Sequence, residues 1–191
     1  MTKTLDERLN QILPLITSDA FLSGSGSGGE LDFFVFDYPP QDELSVREHV
    51  TFLKHQIPMV KPSMRLAHVD LFSMVIEHLQ ERRLLDRALE MQKSKGDAAM
   101  LSKIVAPLSS ERVAEVFVQK AKPKDHDAVL LTGVGSVWPL VRIHSLLSAL
   151  HPLMGRTPLI AFYPGRYDGQ YLRLFGKLKQ NNYYRAFKLV P

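Results

Sequence analysis

Hydrophobic positions are densest between Asp127 and Leu150, where the pattern predicts a buried strand, a glycine turn and a helix. Ala128 to Leu131 form an apolar run of strand length, and Gly133 and Gly135 mark the turn after it. Beyond the turn, apolar residues recur at helical spacing, on one face of a helix that Ser136 can cap. These residues are Leu140, Ile143, Leu147 and Leu150. A strand, a tight turn and a helix form half of a βαβ unit, and we expect the rest of the chain to be arranged around it.

Strands and helices alternate on both sides of this unit. The predicted strands are Leu31–Phe36, Met64–Asp70, Ala128–Leu131, Pro158–Tyr163 and Tyr184–Val190. The helix after the first strand begins at Asp42 and is stopped by Pro58. Its apolar face consists of Val46, Val50, Leu53 and Ile57. After the fourth strand, Asp168 is predicted to cap another helix, whose apolar face consists of Tyr171, Leu172, Phe175 and Leu178.

The two remaining regions lack strand patterns. Residues 1–30 are predicted to form an N-terminal helical arm, bent or ended at Pro14, and a flexible Gly/Ser linker, SGSGSGG. The apolar stripe of the arm consists of Leu5, Leu9, Ile12 and Ile16. Residues 31–191 form an α/β domain with a helical insertion over residues 82–124, which we interpret as three short helices. Ser109 caps the last of these.

This order of elements predicts a single α/β domain with a mostly parallel, five-stranded sheet and helices on both faces. The fold is Rossmann-like or P-loop-like, and its strand order cannot be read from the pattern. Ligands in such sheets bind beyond the carboxyl ends of the strands. Those ends carry Asp37 and Tyr38, His68 to Asp70, Thr132 to Trp138, and Tyr163 to Asp168.

The loop from Gly133 to Ser136 resembles a phosphate-binding loop but is incomplete. No Lys-Ser or Lys-Thr pair follows the glycines, and the third glycine of the dinucleotide fingerprint is missing. A strand-to-helix turn can place a serine as a nucleophile, but Ser136 lacks the flanking glycines of that motif, so a helix cap is the better interpretation. We expect Gly133 to be structural, because so tight a turn needs a positive φ or a close backbone approach.

Metal and acid–base chemistry have only weak signals. Asp37, Asp70 and Asp168 could meet at one crevice, or each could cap a helix or order a turn, which we favour. His68 and Asp70 are too short a motif to define a metal site, and the seven histidines show no paired ligand spacing. The sequence therefore predicts no catalytic residues, no metal and no cofactor.

Charge is unevenly distributed along the chain of 191 residues, whose formal net charge is +4. From Arg156 onward, seven Lys or Arg residues stand against one acid, Asp168. A candidate basic surface consists of Arg173, Lys177 and Lys179. It can attract nucleic acid or an acidic protein face, although we favour a solvated helix face, with lysines that complement the helix dipole, over nucleic-acid binding. With no cysteine, no secretory signal and no apolar run that could span a bilayer, the sequence predicts a cytoplasmic protein.

Aromatic residues at the strand ends form a second candidate surface. Trp138 is the only tryptophan and either packs in the core or, if exposed, anchors a protein interface. The candidate interface consists of Tyr38, Trp138, Tyr163, Arg166 and Tyr167.

Several longer motifs are similar to those of a known family. FDYPP (Phe36 to Pro40), LLTGVGSVWPL with the following RIHSLL (Leu130 to Leu147), FYPGRYDGQYLRLFGKL (Phe162 to Leu178) and the final NNYYRAFKLVP resemble the BrxB family of BREX bacteriophage-defence systems. The resemblance extends from Phe33 to Pro191 and is weakest in the N-terminal arm and linker.

The resemblance implies a bacterial defence role beside a DNA methyltransferase, a large ATPase and PglZ, a protein of the alkaline-phosphatase superfamily. It supplies no catalytic residues. The leading hypothesis is therefore a non-catalytic assembly or adaptor component that binds another BREX protein, with PglZ the best single candidate. The alternatives are a nucleotide-binding protein or enzyme that uses the Gly133–Ser136 loop, and direct DNA contact through the basic C-terminal segment.

Overall fold

The computed structural model describes residues 3–23, 33–176, 178–183 and 186–191. It has the predicted α/β architecture, with a sheet of five parallel strands in the order β2-β3-β4-β1-β7 and an antiparallel hairpin, β5 and β6, that continues from β4. The strands are β1 (Phe33–Tyr38), β2 (Leu66–Asp70), β3 (Ala128–Thr132), β4 (Leu159–Tyr167), β5 (Tyr171–Leu174), β6 (Leu178–Tyr183) and β7 (Phe187–Lys188). The carboxyl ends of the parallel strands lie along one edge of the sheet.

Helices cover both faces of this sheet. They are α1 (Leu5–Leu9), α2 (Ile12–Ile16), α3 (Asp19–Leu22), α4 (Glu43–Val60), α5 (Leu71–Glu81), α6 (Leu85–Lys95), α7 (Asp97–Ile104), α8 (Ser110–Ala121) and α9 (Ile143–Leu150). Two short 3-10 helices are Pro40–Asp42 and Pro123–Asp125. The arm and α4 supply the apolar residues of one core cluster, and α5 to α9 supply those of the other.

Strand β3 shows why the sheet is buried on both faces. All of its residues are buried, and they alternate between the two core clusters, with Leu130 in the cluster of α4 and Leu131 in the cluster of α9. A continuous apolar strand is typical of a parallel sheet covered by helices on both sides. The prediction of a central buried strand is confirmed.

The helix predicted after Asp168 is wrong, because β4 continues to Tyr167 and the chain returns in the antiparallel strands β5 and β6. Leu172 and Leu174 are buried whereas Tyr171 and Arg173 are exposed, which is the two-residue period of a strand. Tyr171 and Leu172 both belong to the predicted helical stripe, but only Leu172 is buried, so packing against the core selects the strand.

Three helix boundaries also differ from the predictions. The arm breaks between α1 and α2, at Asn10 and Gln11, and Pro14 lies within α2. Helix α4 continues past Pro58 to Val60, because a proline so near the last turn removes only one backbone hydrogen bond. The side chain of Asp42 makes no capping hydrogen bond there.

Ser136 does not cap a helix, so that prediction is wrong. Residues 133–142 form successive turns that include a cis peptide bond between Trp138 and Pro139, and α9 begins only at Ile143. The proline has no N–H to donate, so the turns do not continue as a helix. By contrast, the three helices predicted over residues 82–124 are present as α6, α7 and α8, and the Ser109 side chain caps α8.

Candidate functional site

The carboxyl ends of β2 and β3 bring together three polar side chains. The Asp70 carboxylate accepts hydrogen bonds from the Ser73 backbone N–H (2.9 Å) and the Thr132 hydroxyl (3.1 Å). The Thr132 hydroxyl in turn lies 2.9 Å from His68 Nε2. Residues 70 and 132 are register partners in the parallel pair, which is why these side chains meet. Asp70 thus caps α5 and also anchors a hydrogen-bonded chain across the two strands.

The direction of these hydrogen bonds fixes the tautomer of His68. Because the Thr132 hydroxyl proton points to Asp70, the same oxygen must accept from His68, so Nε2 carries the proton. Burial lowers the pKa of His68, which keeps the ring neutral near pH 7. Burial raises the pKa of Asp70, but the hydrogen bonds from Ser73 and Thr132 and the neighbouring His68 outweigh it and lower the pKa below its ordinary value. The Nδ1 atom of His68 is therefore an available acceptor.

Gly133 is structural, as predicted. Its φ is +72°, and a Cβ atom added there would lie 2.8 Å from both carboxylate oxygens of Asp70. The carboxylate is thus packed against the first residue of the Gly133–Ser136 loop. A phosphate held by this loop would meet that negative charge.

The cation beside this loop is Arg47, which is already engaged. Its guanidinium donates to Glu43 (2.8 Å) and to the Ser136 hydroxyl (3.1 Å). Glu43 also accepts a hydrogen bond of 2.6 Å from Tyr38. Burial and this contact with Glu43 raise the pKa of the Tyr38 phenol. Two carboxylates, Glu43 and Asp70, therefore lie close to the one arginine, a charge balance that disfavours an anionic ligand.

Asp37, at the carboxyl end of β1, has a different role. It is buried, and it accepts hydrogen bonds from Arg8 of the N-terminal arm (2.8 Å) and from the Tyr167 backbone N–H (3.0 Å). Lys188 lies 3.7 Å away. Arg8 also donates to the carbonyl oxygens of Asp37 and Val190 and lies over the Phe36 ring. Asp37 thus ties the arm, the centre of the sheet and the C-terminal segment together.

The three aspartates do not share a crevice. Asp168 lies on the hairpin, where its carboxylate accepts the backbone N–H groups of Gln170 (3.0 Å) and Tyr171 (2.8 Å) and pairs with Arg173. Each aspartate therefore orders its own local structure. Within the described ranges, no three His, Asp or Glu side chains are grouped so that they could hold a metal ion.

Three of the five candidate interface residues are not on the surface, so that part of the prediction is wrong. Tyr38, Tyr163 and Tyr167 are all buried. Tyr167 packs under the hairpin, and its hydroxyl accepts a hydrogen bond of 3.1 Å from the Ala186 N–H. The Tyr163 hydroxyl is enclosed without a partner among the described residues, and burial raises its pKa. Tyr38 and Tyr163 are buried because helices cover both faces of the sheet, and Tyr167 is buried on the strand beside its exposed neighbour Arg166.

The other two candidates, Trp138 and Arg166, are exposed and lie beside the hairpin. Trp138 is 43% exposed and meets Phe175 edge to face, with ring centroids 6.3 Å apart. We call the exposed or half-exposed group beside the hairpin the hairpin surface. It consists of Trp138, Arg166, Tyr171, Arg173 and Phe175.

Basic residues form a row across this hairpin. Arg166 of β4 pairs directly with Arg173 of β5, and Arg173 pairs with Lys179 of β6. Residues opposite each other on adjacent antiparallel strands share a face of the sheet. The hairpin therefore places Arg173 in one row with Arg166, and the backbone of Lys179 pairs with that of Arg173. Lys177 lies outside the described residues.

Sequence reasoning missed Arg47, Tyr171 and Phe175 as parts of this region. No motif marks Arg47, whose contact with Ser136 is long-range. Phe175 has a φ of +55° at the hairpin turn, and its side chain packs near Gly135. The alternation of residues 171–174 is the one signal that could have revealed the hairpin.

Comparison with known proteins identifies the relationship. The sequence profile of the family described as "BREX protein BrxB" matches residues 67–189. A "BREX protein BrxB" from Escherichia coli O9:H4 (strain HS) is 41% identical over 187 residues, covering 98% of this chain and 92% of the relative. Another from Bacillus cereus (strain H3081.97) is 36% identical over 192 residues, covering 98% of each chain.

No solved structure matches the chain. No helix in the described ranges is long and apolar enough to cross a bilayer. The two relatives span nearly the whole chain, and the profile covers the ends of β2, β3 and β4, the glycine loop and the hairpin. The chain belongs to the BrxB family.

Proposed function

We propose that this protein is a non-catalytic assembly component that binds another BREX protein through the hairpin surface, and that PglZ is the partner. Membership of the BrxB family implies a role in the BREX phage-defence system. The adaptor role and the partner are our proposal, and the basic row on the hairpin is the observation that carries it.

The basic row is unusual because like charges directly opposite each other destabilise a sheet. Arg166 and Arg173 are register partners, and the backbone of Lys179 pairs with that of Arg173. The neighbouring acid is Asp168, which pairs with Arg173 at 3.4 Å. An acidic partner surface would compensate the excess charge and speed association. The row therefore supports a partner with an acidic face.

Aromatic residues beside the row provide anchors. Tryptophan, tyrosine and arginine dominate the binding energy of most interfaces. Trp138 is exposed while its edge-to-face contact with Phe175 already limits its freedom, which lowers the entropy cost of binding. Apolar anchors next to cations favour a folded protein partner over a simple polyanion.

We also propose that the protein has no catalytic activity, because the Gly133–Ser136 loop lacks free cationic groups. Phosphoryl transfer needs cationic groups that stabilise the charge on the transferring phosphate. The loop has no lysine, Arg47 is held by Glu43 and Ser136, and Asp70 packs against Gly133. This arrangement supports a structural loop.

The test is the affinity for purified PglZ of the same system, measured by titration calorimetry. Replacing Trp138 and Arg166 together by Ala should weaken binding by about 2 kcal/mol or more, because both side chains are anchors in the proposed interface. The control is the double variant Lys93→Glu with Lys95→Glu on α6, which changes two exposed residues that do not belong to the hairpin surface. This control should leave the affinity unchanged.

Unchanged affinity of the double alanine variant would exclude the hairpin surface as the interface. The basic row also makes DNA contact a second candidate function, which salt dependence distinguishes. Binding of an unrelated DNA duplex that weakens steeply with salt and is lost on Arg166→Glu with Arg173→Glu would favour DNA. Salt-tolerant binding of PglZ that depends on Trp138 would favour the assembly role.

A further inference from the structure

Strand β2 lies at one end of the five-stranded sheet and pairs on one side only, with β3. No other strand of the described residues pairs with its outer side. Leu66 and His68 of β2, with Lys54 and Pro58 of α4 and Met64 before the strand, line a cavity of about 300 Å³. The edge strand and the helix thus form the two walls of a groove.

The groove combines an apolar wall with two specific polar groups. Leu66 and Met64 belong to, or pack against, the core cluster beneath α4. His68 presents its Nδ1 acceptor, because Nε2 is committed to Thr132. Lys54 is exposed, and it makes no ion pair or hydrogen bond with any described residue. An unpaired cation and a fixed acceptor beside an open strand edge are features that recognise an extended peptide.

We propose that this groove binds an extended peptide segment of a partner protein, which adds to β2 as a further strand and places an acidic side chain against Lys54. The main chain of the segment pairs with the outer edge of β2. A donor on the segment, a hydroxyl or an N–H, bonds to Nδ1 of His68.

A second copy of this chain fits the groove poorly. Two β2 strands related by a two-fold axis would bring the same surface of each chain together, as every isologous contact does. Lys54 would then face the same region of its symmetry mate, so the two exposed lysines would repel each other. Charge complementarity therefore favours an acidic peptide.

The test uses arrays of overlapping 12-residue peptides that cover the other proteins of the BREX system, with the full chain as the probe. Bound peptides are then measured in solution by fluorescence anisotropy. Lys54→Glu should lower the affinity for acidic peptides by about tenfold or more, because it replaces attraction by repulsion. Lys103→Glu on α7 makes the same charge change at another exposed site and should have no effect.

Two substitutions at His68 separate its two nitrogens. His68→Gln keeps a donor near the position of Nε2 for Thr132 but lacks the Nδ1 acceptor, so peptide affinity should fall. His68→Asn keeps an acceptor near Nδ1 and loses the Thr132 contact, so affinity should fall less. Amide exchange of residues 66–70 should slow when the peptide is added, whereas Trp138→Ala should leave peptide binding unchanged.

Three outcomes would overturn the proposal. These are an array with no bound peptide, binding that is indifferent to Lys54→Glu, and bound peptides that do not protect the β2 amides. A fourth outcome would also refute the proposal. If sedimentation shows that the wild-type chain is a dimer and that Ala67→Pro dissociates it, the occupant of the groove is a second copy of the chain.

Discussion

Two corners of the same sheet use aspartates at strand ends in opposite ways. The closed corner, at the end of β1, consists of Asp37, Arg8, Tyr167 and Lys188, and its carboxylate is buried among these partners. The open corner, at the ends of β2 and β3, consists of Asp70, Thr132 and His68, and His68 also lines the groove.

The difference follows from the parts of the chain that lie beside the end of each strand. The N-terminal arm and the C-terminal segment both reach β1, so Arg8 and Lys188 can fill the space beyond the strand. Nothing in the described part of the chain pairs with the outer side of β2. Ligands of open α/β sheets usually bind at the carboxyl ends of strands. In this protein the chain itself occupies the closed corner, so we expect the proposed binding at the open corner and at the hairpin surface.

The largest effect should come from breaking the closed corner. Asp37→Ala leaves Arg8 largely buried without its partner, so the free energy of unfolding should fall by about 3 kcal/mol or more. Urea denaturation followed by circular dichroism measures this change. Glu77→Ala, which removes an exposed ion pair with Lys120, should cost about 0.5 kcal/mol or less. Equal effects of the two substitutions would show that the closed corner is not a stabilising unit.

The open corner has its tightest contact at Gly133. Gly133→Ala should lower the free energy of unfolding by about 2 kcal/mol, because the left-handed backbone and the approach to Asp70 both oppose a Cβ atom. Gly155 has a similar φ of +63° with open space around it. Gly155→Ala should therefore cost only about 1 kcal/mol, and the difference measures the contact with Asp70. Urea denaturation of each variant measures its free energy of unfolding. Equal losses for the two glycines would mean that the Asp70 side chain moves aside at no cost.

The charge on Asp70 should contribute a smaller, pH-dependent term. Its pKa is lower in the folded protein than the ordinary value of 3.8, so the ionised carboxylate stabilises the fold above that pH. This stabilisation should disappear as pH falls through the lower, folded-state pKa. Asp70→Ala should cost about 1 kcal/mol at neutral pH through loss of the α5 cap, and this cost should shrink in acid. Urea titrations from neutral pH to below 3.8 test this; a cost independent of pH would contradict it.

The smallest effect should come from the basic row on the hairpin. Arg166→Gln removes a like charge opposite Arg173, so at low salt the free energy of unfolding should rise by a few tenths of a kcal/mol, roughly. The gain should vanish at high salt, where exposed charges are screened. Thermal melts at two salt concentrations measure it. A loss of stability would instead mean that Arg166 stabilises the fold, and that its charge is already compensated without a partner protein.

Sequence pattern predicted the architecture because the three inner strands β1, β3 and β4 are largely buried apolar runs. The stripe of α4, with Val46, Val50, Leu53 and Ile57, is buried as its spacing indicates. The hairpin was missed because the apolar residues between 171 and 178 also recur at helical spacing, whereas β4 continues to Tyr167 and pairs with β5 directly after the turn. The glycines and proline around residues 164–169 suggest an end to β4, so its continuation is not evident from the pattern.

The candidate site was harder to predict. Gly133 and the Asp70 cap are local and could be inferred from the residues around them. The contacts of Arg47 with Ser136 and of Arg8 with Asp37 join residues far apart in the chain, which no spacing rule connects. Tyr163 and Tyr167 were misplaced because aromatic composition does not reveal which side of a strand faces the core.

The position of β1 also sets an order of events during synthesis on the ribosome. Phe33 of β1 pairs with Leu159 of β4, and Phe34 pairs with Phe187 of β7, so both neighbours emerge late in translation. Until then the sequence FFVFDY has no strand beside it and is a candidate for chaperone binding. Pairings between residues so distant in sequence also slow folding. Arg8 can reach Asp37 early in synthesis, but it can donate to the Val190 carbonyl only after residue 190 has been made.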